Sequence, residues 1–147
     1  MDAVTIGYRA AATLARYLPR SVVEGAVPAA FRLWSLKPSE RRSMVRNHQR
    51  RVEPRLSEAA LDRQVRRVYG SYGRYYAESF RLPSISRHEL DSRMTVDGYE
   101  HMEKALGGDV GPIAILPHLG SWEWCAYWFA RVMAAKVTAV VERLEPP

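Results

Sequence analysis

The sequence holds a single cysteine, Cys125, so it has no internal disulfide framework and no thiolate metal cluster, a pattern that fits a reducing compartment. Lysine is nearly absent: of 22 cationic side chains, 19 are arginine and 3 are lysine. No apolar run approaches the ~20 residues of a membrane-spanning helix, so no bilayer-crossing segment is expected. The opening stretch "MDAVTIGYRAAATLARYLPR" lacks the basic start, compact apolar block and small-residue cleavage site of a secretory signal, and Asp2 stands where positive charge belongs. Export is disfavoured. There is no internal repeat, no low-complexity segment, no zinc-ligand spacing and no RNA-binding aromatic signature.

What is present is a chain of 147 residues, 47% hydrophobic, enough for one core of ordinary size and hence one domain or a piece of one. The net charge of +6 points to an anionic partner such as lipid headgroups, nucleic acid or a phosphorylated cofactor.

Helical periodicity dominates the first part. Residues 4 to 18 place Ile6, Ala10, Leu14, Tyr17 and Leu18 on one stripe with Arg9 and Arg16 on another face, and Pro19 ends the segment. Such a helix suits either a core or a membrane interface. Pro28 and "FRLW" lead to a second short helical piece. Pro38 and Ser39 start a third, which carries Arg41, Arg42, Arg46, Arg50 and Arg51 and reads as a solvated basic face or a phosphate contact. Ser57 caps a long helix to about Phe80, along which Leu61, Val65, Val68, Tyr69, Tyr72, Tyr76 and Phe80 recur as a core stripe.

After "RLPSISRHEL" the pattern changes. "MTVDG" reads as a strand, "YEHMEKALGG" as a helix stopped by Gly107 and Gly108, "GPIAILPH" as a buried strand, "SWEWCAYWFARVMA" as an apolar helix and "KVTAVVE" as a further strand. The expected fold class is therefore α/β. A helical, membrane-associating region over 1–93 precedes the first strands and helices of a mainly parallel sheet over 94–147, in a truncated domain, because a parallel sheet is covered on both faces and this one is not.

The chemistry concentrates in "HLGSWE". His118 falls at the carboxyl end of an expected strand, where open α/β sheets place ligand-binding residues. Gly120 permits a tight turn, Ser121 caps the following helix and Glu123 occupies its first turn, within reach of the imidazole. A carboxylate on one ring nitrogen fixes the tautomer and leaves the other free to take a proton from an alcohol. The alternative is a core histidine beside an ordinary helix start. Trp122, Trp124 and Trp128 suit packing, Cys125 a small buried hydrophobe, and His48, His88 and His101 have no partner at informative spacing.

In order along the chain, "RRSMVRNHQRRV", "SYGRYYAESFRLP", "VDGYEHMEKAL", "GPIAILPHLGSWEW" and "TAVVERLEPP" resemble the opening half of the bacterial lipid A biosynthesis acyltransferase family, which includes the phosphatidylinositol mannoside acyltransferases of actinobacteria. The resemblance implies transfer of a fatty acyl group from a thioester to a hydroxyl of a glycolipid. His118 would be the general base and Glu123 the motif acid, with Ser121, Trp122 and Arg143 as substrate-binding candidates and no metal. It implies no cofactor beyond the acyl donor, acyl-CoA or acyl carrier protein. The remaining partners would be a glycolipid acceptor and an anionic membrane surface, with no nucleic acid, at the cytoplasmic face of the plasma (inner) membrane as a peripheral protein. Family members are much longer, and in the mannoside branch an acid beyond the matching region partners the histidine. Lipid A members usually begin with a strongly apolar anchor helix, whereas residues 1 to 36 here are modestly amphipathic, which favours a phosphatidylinositol mannoside acceptor over a late lipid A acyltransferase. The rival from another class is a non-enzymatic basic module that binds anionic membranes or nucleic acid through its arginines, and a third reading is an inactive fragment.

Overall fold

Proline and capping serine punctuate the helices. The computed structural model describes residues 3–117 and 119–140, and the chain divides between Ser84 and Ile85 into two compact units. The first contains α1 (Ala3–Tyr17), α2 (Arg20–Trp34), α3 (Glu40–Val52) and α4 (Glu58–Arg81), closed by a 3-10 turn at Leu82–Ser84. Pro19 occupies the N-cap position of α2 and so separates it from α1. The Ser39 hydroxyl accepts from the Arg42 amide at 3.1 Å and that of Ser57 from the Ala60 amide at 3.3 Å. Both serines are extended, with ψ of 158° and 159°, which aims the hydroxyl back over the first turn.

The core of this unit is the seam between α2 and α4, and small residues make it. A Cβ added at Gly73 would lie 2.9 Å from the Pro28 Cα and 3.1 Å from the Phe31 Cβ, so α2 rests on bare α4 backbone there. The second helix was expected to follow Pro28; it runs from Arg20 through Pro28 instead. An interior proline costs about 3 kcal/mol in a helix, and here burial of its ring against α4 offsets that loss. Aromatic rings extend the seam. Trp34 meets Tyr69 edge-on at 6.1 Å, Phe31 lies 5.9 Å from Tyr76, and Tyr8 of α1 stands edge-on to Phe80 at 4.7 Å. The Tyr76 hydroxyl donates to that of Tyr72, and this bond, with partial burial and neighbouring phenols, pushes its pKa up to about 12.

Of the five arginines of α3, Arg41 and Arg51 are exposed, as a solvated basic face would have them, whereas Arg42, Arg46 and Arg50 turn to partners within the protein. Arg42 and Arg46 donate to one carboxylate oxygen of Asp62 at 2.8 and 2.6 Å, and Arg46 and Arg50 both pair with Glu58, so α3 is fastened to α4 by charge. Arg42 also donates to the Ser35 carbonyl at 2.7 Å. At the far end of α4, Arg81 donates to the Ala15 and Leu18 carbonyls at 2.8 and 3.0 Å, satisfying acceptors that the end of α1 leaves open.

Helices α1 and α2 are apolar on two sides. On α1 the packed side carries Tyr8 and Ala15, while Ile6, Leu14 and Tyr17, of the stripe that periodicity leaves to a core or a membrane interface, lie off that side at 3.6 residues per turn and are 52%, 58% and 85% exposed. On α2, Val23, Val27, Pro28 and Phe31 face α4, whereas Val22, Ala26, Ala29 and Leu33 face away and are exposed. Among the described residues, no helix is long and apolar enough to cross a membrane.

The second unit holds α5 (Arg87–Ser92), α6 (Tyr99–Leu106) and α7 (Trp122–Arg131). Here the α/β expectation fails. Among the described residues there is no strand: Met94–Val96, the run 111–117 and the run 134–140 are all irregular, and residues 141 and 142 of "KVTAVVE" lie outside the described residues. The apolar runs are real but lie open, with Ile113 and Ile115 both more than nine-tenths exposed. A strand is stable only when its amides pair sideways with another strand and its faces are covered, and these segments find neither partner nor cover. Among the described residues of the second unit, those that do become buried are Ile85, Leu90, Trp124 and Trp128, all on or beside α5 and α7.

Candidate active site

Residues 119–123, "LGSWE", lead into α7. The approach, residues 111–117, is irregular and exposed. Pro117 then offers its carbonyl to the Leu119 amide at 2.8 Å, and Gly120 takes a left-handed φ of 63°, the tight turn its lack of a side chain allows. The helix starts at Trp122, and Glu123 sits in the first turn, where the helix dipole favours a carboxylate.

Ser121 behaves differently from the other serines that precede helices. It stands at the N-cap position with a ψ of 73°, not the extended value near 155° seen at Ser39, Ser57 and Ser86, and it makes no side-chain cap. Its Oγ is buried with no hydrogen-bond partner among the described residues. The expected cap by Ser121 is therefore absent, and in the first turn of α7 the Trp124 amide donates to the Ser121 carbonyl at 3.0 Å.

Of the sequence-derived site residues, Ser121, Trp122 and Glu123 are brought together on this turn, each half-buried. His118 and Arg143 lie outside the described residues. The other tryptophans pack as anticipated: Trp124 and Trp128 are buried, and Trp128 meets the rings of Tyr99 and Phe129 edge-on at 5.9 and 5.1 Å. Cys125 is a half-buried free thiol. No group of three or more His, Cys, Asp or Glu among the described residues could hold a metal ion.

The residues that spacing missed are Asp91 on α5 and Arg93, the residue that ends it. Trp128 donates its indole Nε1–H to Asp91 Oδ1 at 2.9 Å, and the Arg93 guanidinium lies over the Trp124 ring, 4.7 Å from its centre. The signal for α5 was present as "SRHE", in which Ser86 caps the Glu89 amide at 3.1 Å, the S-x-x-E pattern of a helix start.

Residues 3–147 match the family described as bacterial lipid A biosynthesis acyltransferase. A phosphatidylinositol mannoside acyltransferase of Mycolicibacterium smegmatis is 29% identical over 141 residues, covering 96% of this chain and 45% of the relative. A protein of the same description from Mycobacterium tuberculosis is 37% identical over 78 residues, covering 52% of this chain and 24% of the relative. The chain thus spans about half the length of the curated relatives it matches. No solved structure matches it. With the match running over nearly the whole chain and the "HLGSWE" turn inside it, this protein belongs to the bacterial lipid A biosynthesis acyltransferase family.

Proposed function

We propose that this chain forms part of an O-acyltransferase that moves a fatty acyl group from a thioester, carried by coenzyme A or an acyl carrier protein, to a hydroxyl of a glycolipid, with a phosphatidylinositol mannoside as acceptor. The observation that carries the reading is the family match over residues 3–147, within which "LGSWE" forms a glycine turn leading into a helix whose first turn holds Glu123.

In this reaction His118 takes the acceptor's hydroxyl proton as the oxygen attacks the thioester carbonyl. The tetrahedral intermediate then expels the thiolate, which recovers the proton from the imidazolium and leaves as the free thiol. Glu123 orients the imidazole and stabilises its charged form, and such assistance contributes ~10²- to 10⁴-fold. The amino end of α7, around Ser121 and Trp122, favours negative charge and supports the developing oxyanion. Arg143 contributes to substrate binding, and the reaction calls for no metal or cofactor beyond the acyl donor.

The substrates are lipids, and the outward apolar sides of α1 and α2 support a peripheral seat at the cytoplasmic face of the plasma membrane. Ile6, Leu14, Val22 and Leu33 are exposed there, with Arg9 and Arg16 on α1 to meet anionic headgroups. The rival basic module loses ground because Arg42, Arg46 and Arg50 are already engaged by Asp62, Glu58 and backbone carbonyls.

The test uses the gene's full product with radiolabelled acyl donor and mannosylated phosphatidylinositol in vesicles. His118→Ala is expected to abolish acyl transfer and leave vesicle sedimentation unchanged. Retained turnover removes the base assignment, and acylation of a lipid A precursor in place of the mannoside reassigns the acceptor.

A further inference from the structure

Helix α5 has only six residues, too short to persist alone, yet it is fixed against α7 by directional contacts from Arg87, Asp91 and Arg93. Near the start of α7 the Arg93 guanidinium covers the face of Trp124 at 4.7 Å, within the range of a cation–π contact. One turn on, Asp91 Oδ1 accepts the Trp128 indole N–H at 2.9 Å, a charge-assisted bond. Just past the end of α7, Arg87 donates to the Val132 carbonyl at 2.7 Å. These tethers span residues 124 to 132, roughly 12 Å of helix at 1.5 Å per residue.

Apolar packing alone lets a helix roll about its axis, because one hydrophobic contact replaces another at little cost. A bond to the indole N–H and a cation centred on an indole face do not permit this. Glu123 directly precedes Trp124, so the rotation of α7 sets where its carboxylate points. Side-chain tips lie about 5 to 6 Å from a helix axis, so a roll of ~20° moves them about 2 Å. A displacement of ~1 Å in a reacting group can cost ~10²-fold in rate.

We propose that Asp91 and Arg93 are positioning residues for acyl transfer: acting through Trp128 and Trp124, they lock the rotation of α7 and thereby the direction of the Glu123 carboxylate. The proposal rests on the functional reading above, in which Glu123 serves the reaction. Asp91 and Arg93 touch neither substrate in this scheme.

Asp91→Ala and Trp128→Phe each delete the same bond, the second while keeping an aromatic ring, and Arg93→Met removes the cation while keeping the side-chain length. All are measured in the gene's full product at a temperature at which each variant is fully folded, beside His118→Ala and wild type. Positioning requires kcat to fall by about tenfold or more in Asp91→Ala and Trp128→Phe with KM within about twofold. The double variant should be no worse than the poorer single one, and Asp91→Asn, which keeps an acceptor oxygen, should recover most of the rate. A purely structural role predicts lower thermal midpoints with kcat unchanged below them, and that outcome overturns the proposal, as does a double variant whose losses multiply. Because the bond is judged from kcat in Asp91→Ala and Trp128→Phe and the base from His118→Ala, an inactive His118→Ala beside fully active Asp91→Ala and Trp128→Phe sinks the positioning role and leaves the proposed function standing.

Discussion

Gly73 of α4 lies under Pro28 of α2 so closely that a methyl group on Gly73 would stand 2.9 Å from the Pro28 Cα. Backbone faces backbone there, and neither can swing aside. Gly70, one turn earlier, is also tight, but what a Cβ would meet is the Arg32 side chain, with its Nε at 2.5 Å, and a guanidinium on a flexible stem can move. Alanine in place of helical glycine gains up to about 1 kcal/mol, whereas overpacking costs about 1 to 3 kcal/mol. Gly73→Ala is therefore expected to lower unfolding free energy by about 1 to 2 kcal/mol, and Gly70→Ala to leave it within about 0.5 kcal/mol. Urea titration of both variants checks the difference, and equal effects would contradict the seam.

The charge seam between α3 and α4 carries a pH dependence. The Arg42 hydrogen bond, with the nearby charges of Arg46 and Arg66, holds the Asp62 carboxyl below its ordinary value despite some opposing desolvation. A carboxyl whose folded pKa is depressed stabilises the fold fully above its unfolded pKa of about 3.9, and that contribution disappears as pH falls through the lower folded value. Urea midpoints of the wild type should stay level toward neutral pH and decline below about pH 4, and Asp62→Asn should show a shallower decline. Identical acid profiles would show that Asp62 is not held by this pair of arginines.

The serines that precede helices divide into two kinds. Ser39 caps α3, so Ser39→Ala should cost about 1 kcal/mol. Ser121 makes no cap and buries a hydroxyl that is unpaired among the described residues, so Ser121→Ala should leave stability unchanged or raise it by up to about 1 kcal/mol. Thermal unfolding followed by circular dichroism separates them. A destabilised Ser121→Ala would reveal a partner for that hydroxyl.

On α1 the two apolar sides have different fates. Leu14 is 58% exposed and Ala15 is buried against Val23 and Ala77. Leu14→Glu should change stability by less than about 0.5 kcal/mol, while Ala15→Glu should prevent folding of the unit. If the outward side enters a lipid interface, losing one leucine's burial, about 1.5 kcal/mol or more, should weaken binding to phosphatidylglycerol vesicles about tenfold. Sedimentation at constant salt reads this, and unchanged binding would leave α1 without a lipid role.

Much of the helical register was open to inspection in the linear chain. Ser39, Ser57, Pro19 and Gly120 act locally, through a hydroxyl, a missing amide or a permissive φ, so the boundaries they set follow from a few adjacent residues. The family was legible for the same reason: ordered short motifs such as "HLGSWEW" survive as sequence. The strands were not. "GPIAILPH" has the composition of a buried strand, but strand formation depends on a lateral partner that no local pattern encodes, and in this fold Ile113 and Ile115 are exposed.

Composition and spacing were sufficient for the capped helices, the arginine excess, the glycine turn and the place of Glu123 in the first turn of α7, since each depends on residues within a few positions of one another. Folding in three dimensions settled everything that joins distant residues. It turned the apolar stripe of α1 outward, drew Arg42, Arg46 and Arg50 of α3 onto Asp62 and Glu58, set Pro28 on Gly73, and gave Trp128 its carboxylate from Asp91, 37 residues away. A periodic face says that a surface is apolar, and only packing chooses which neighbour, if any, will cover it.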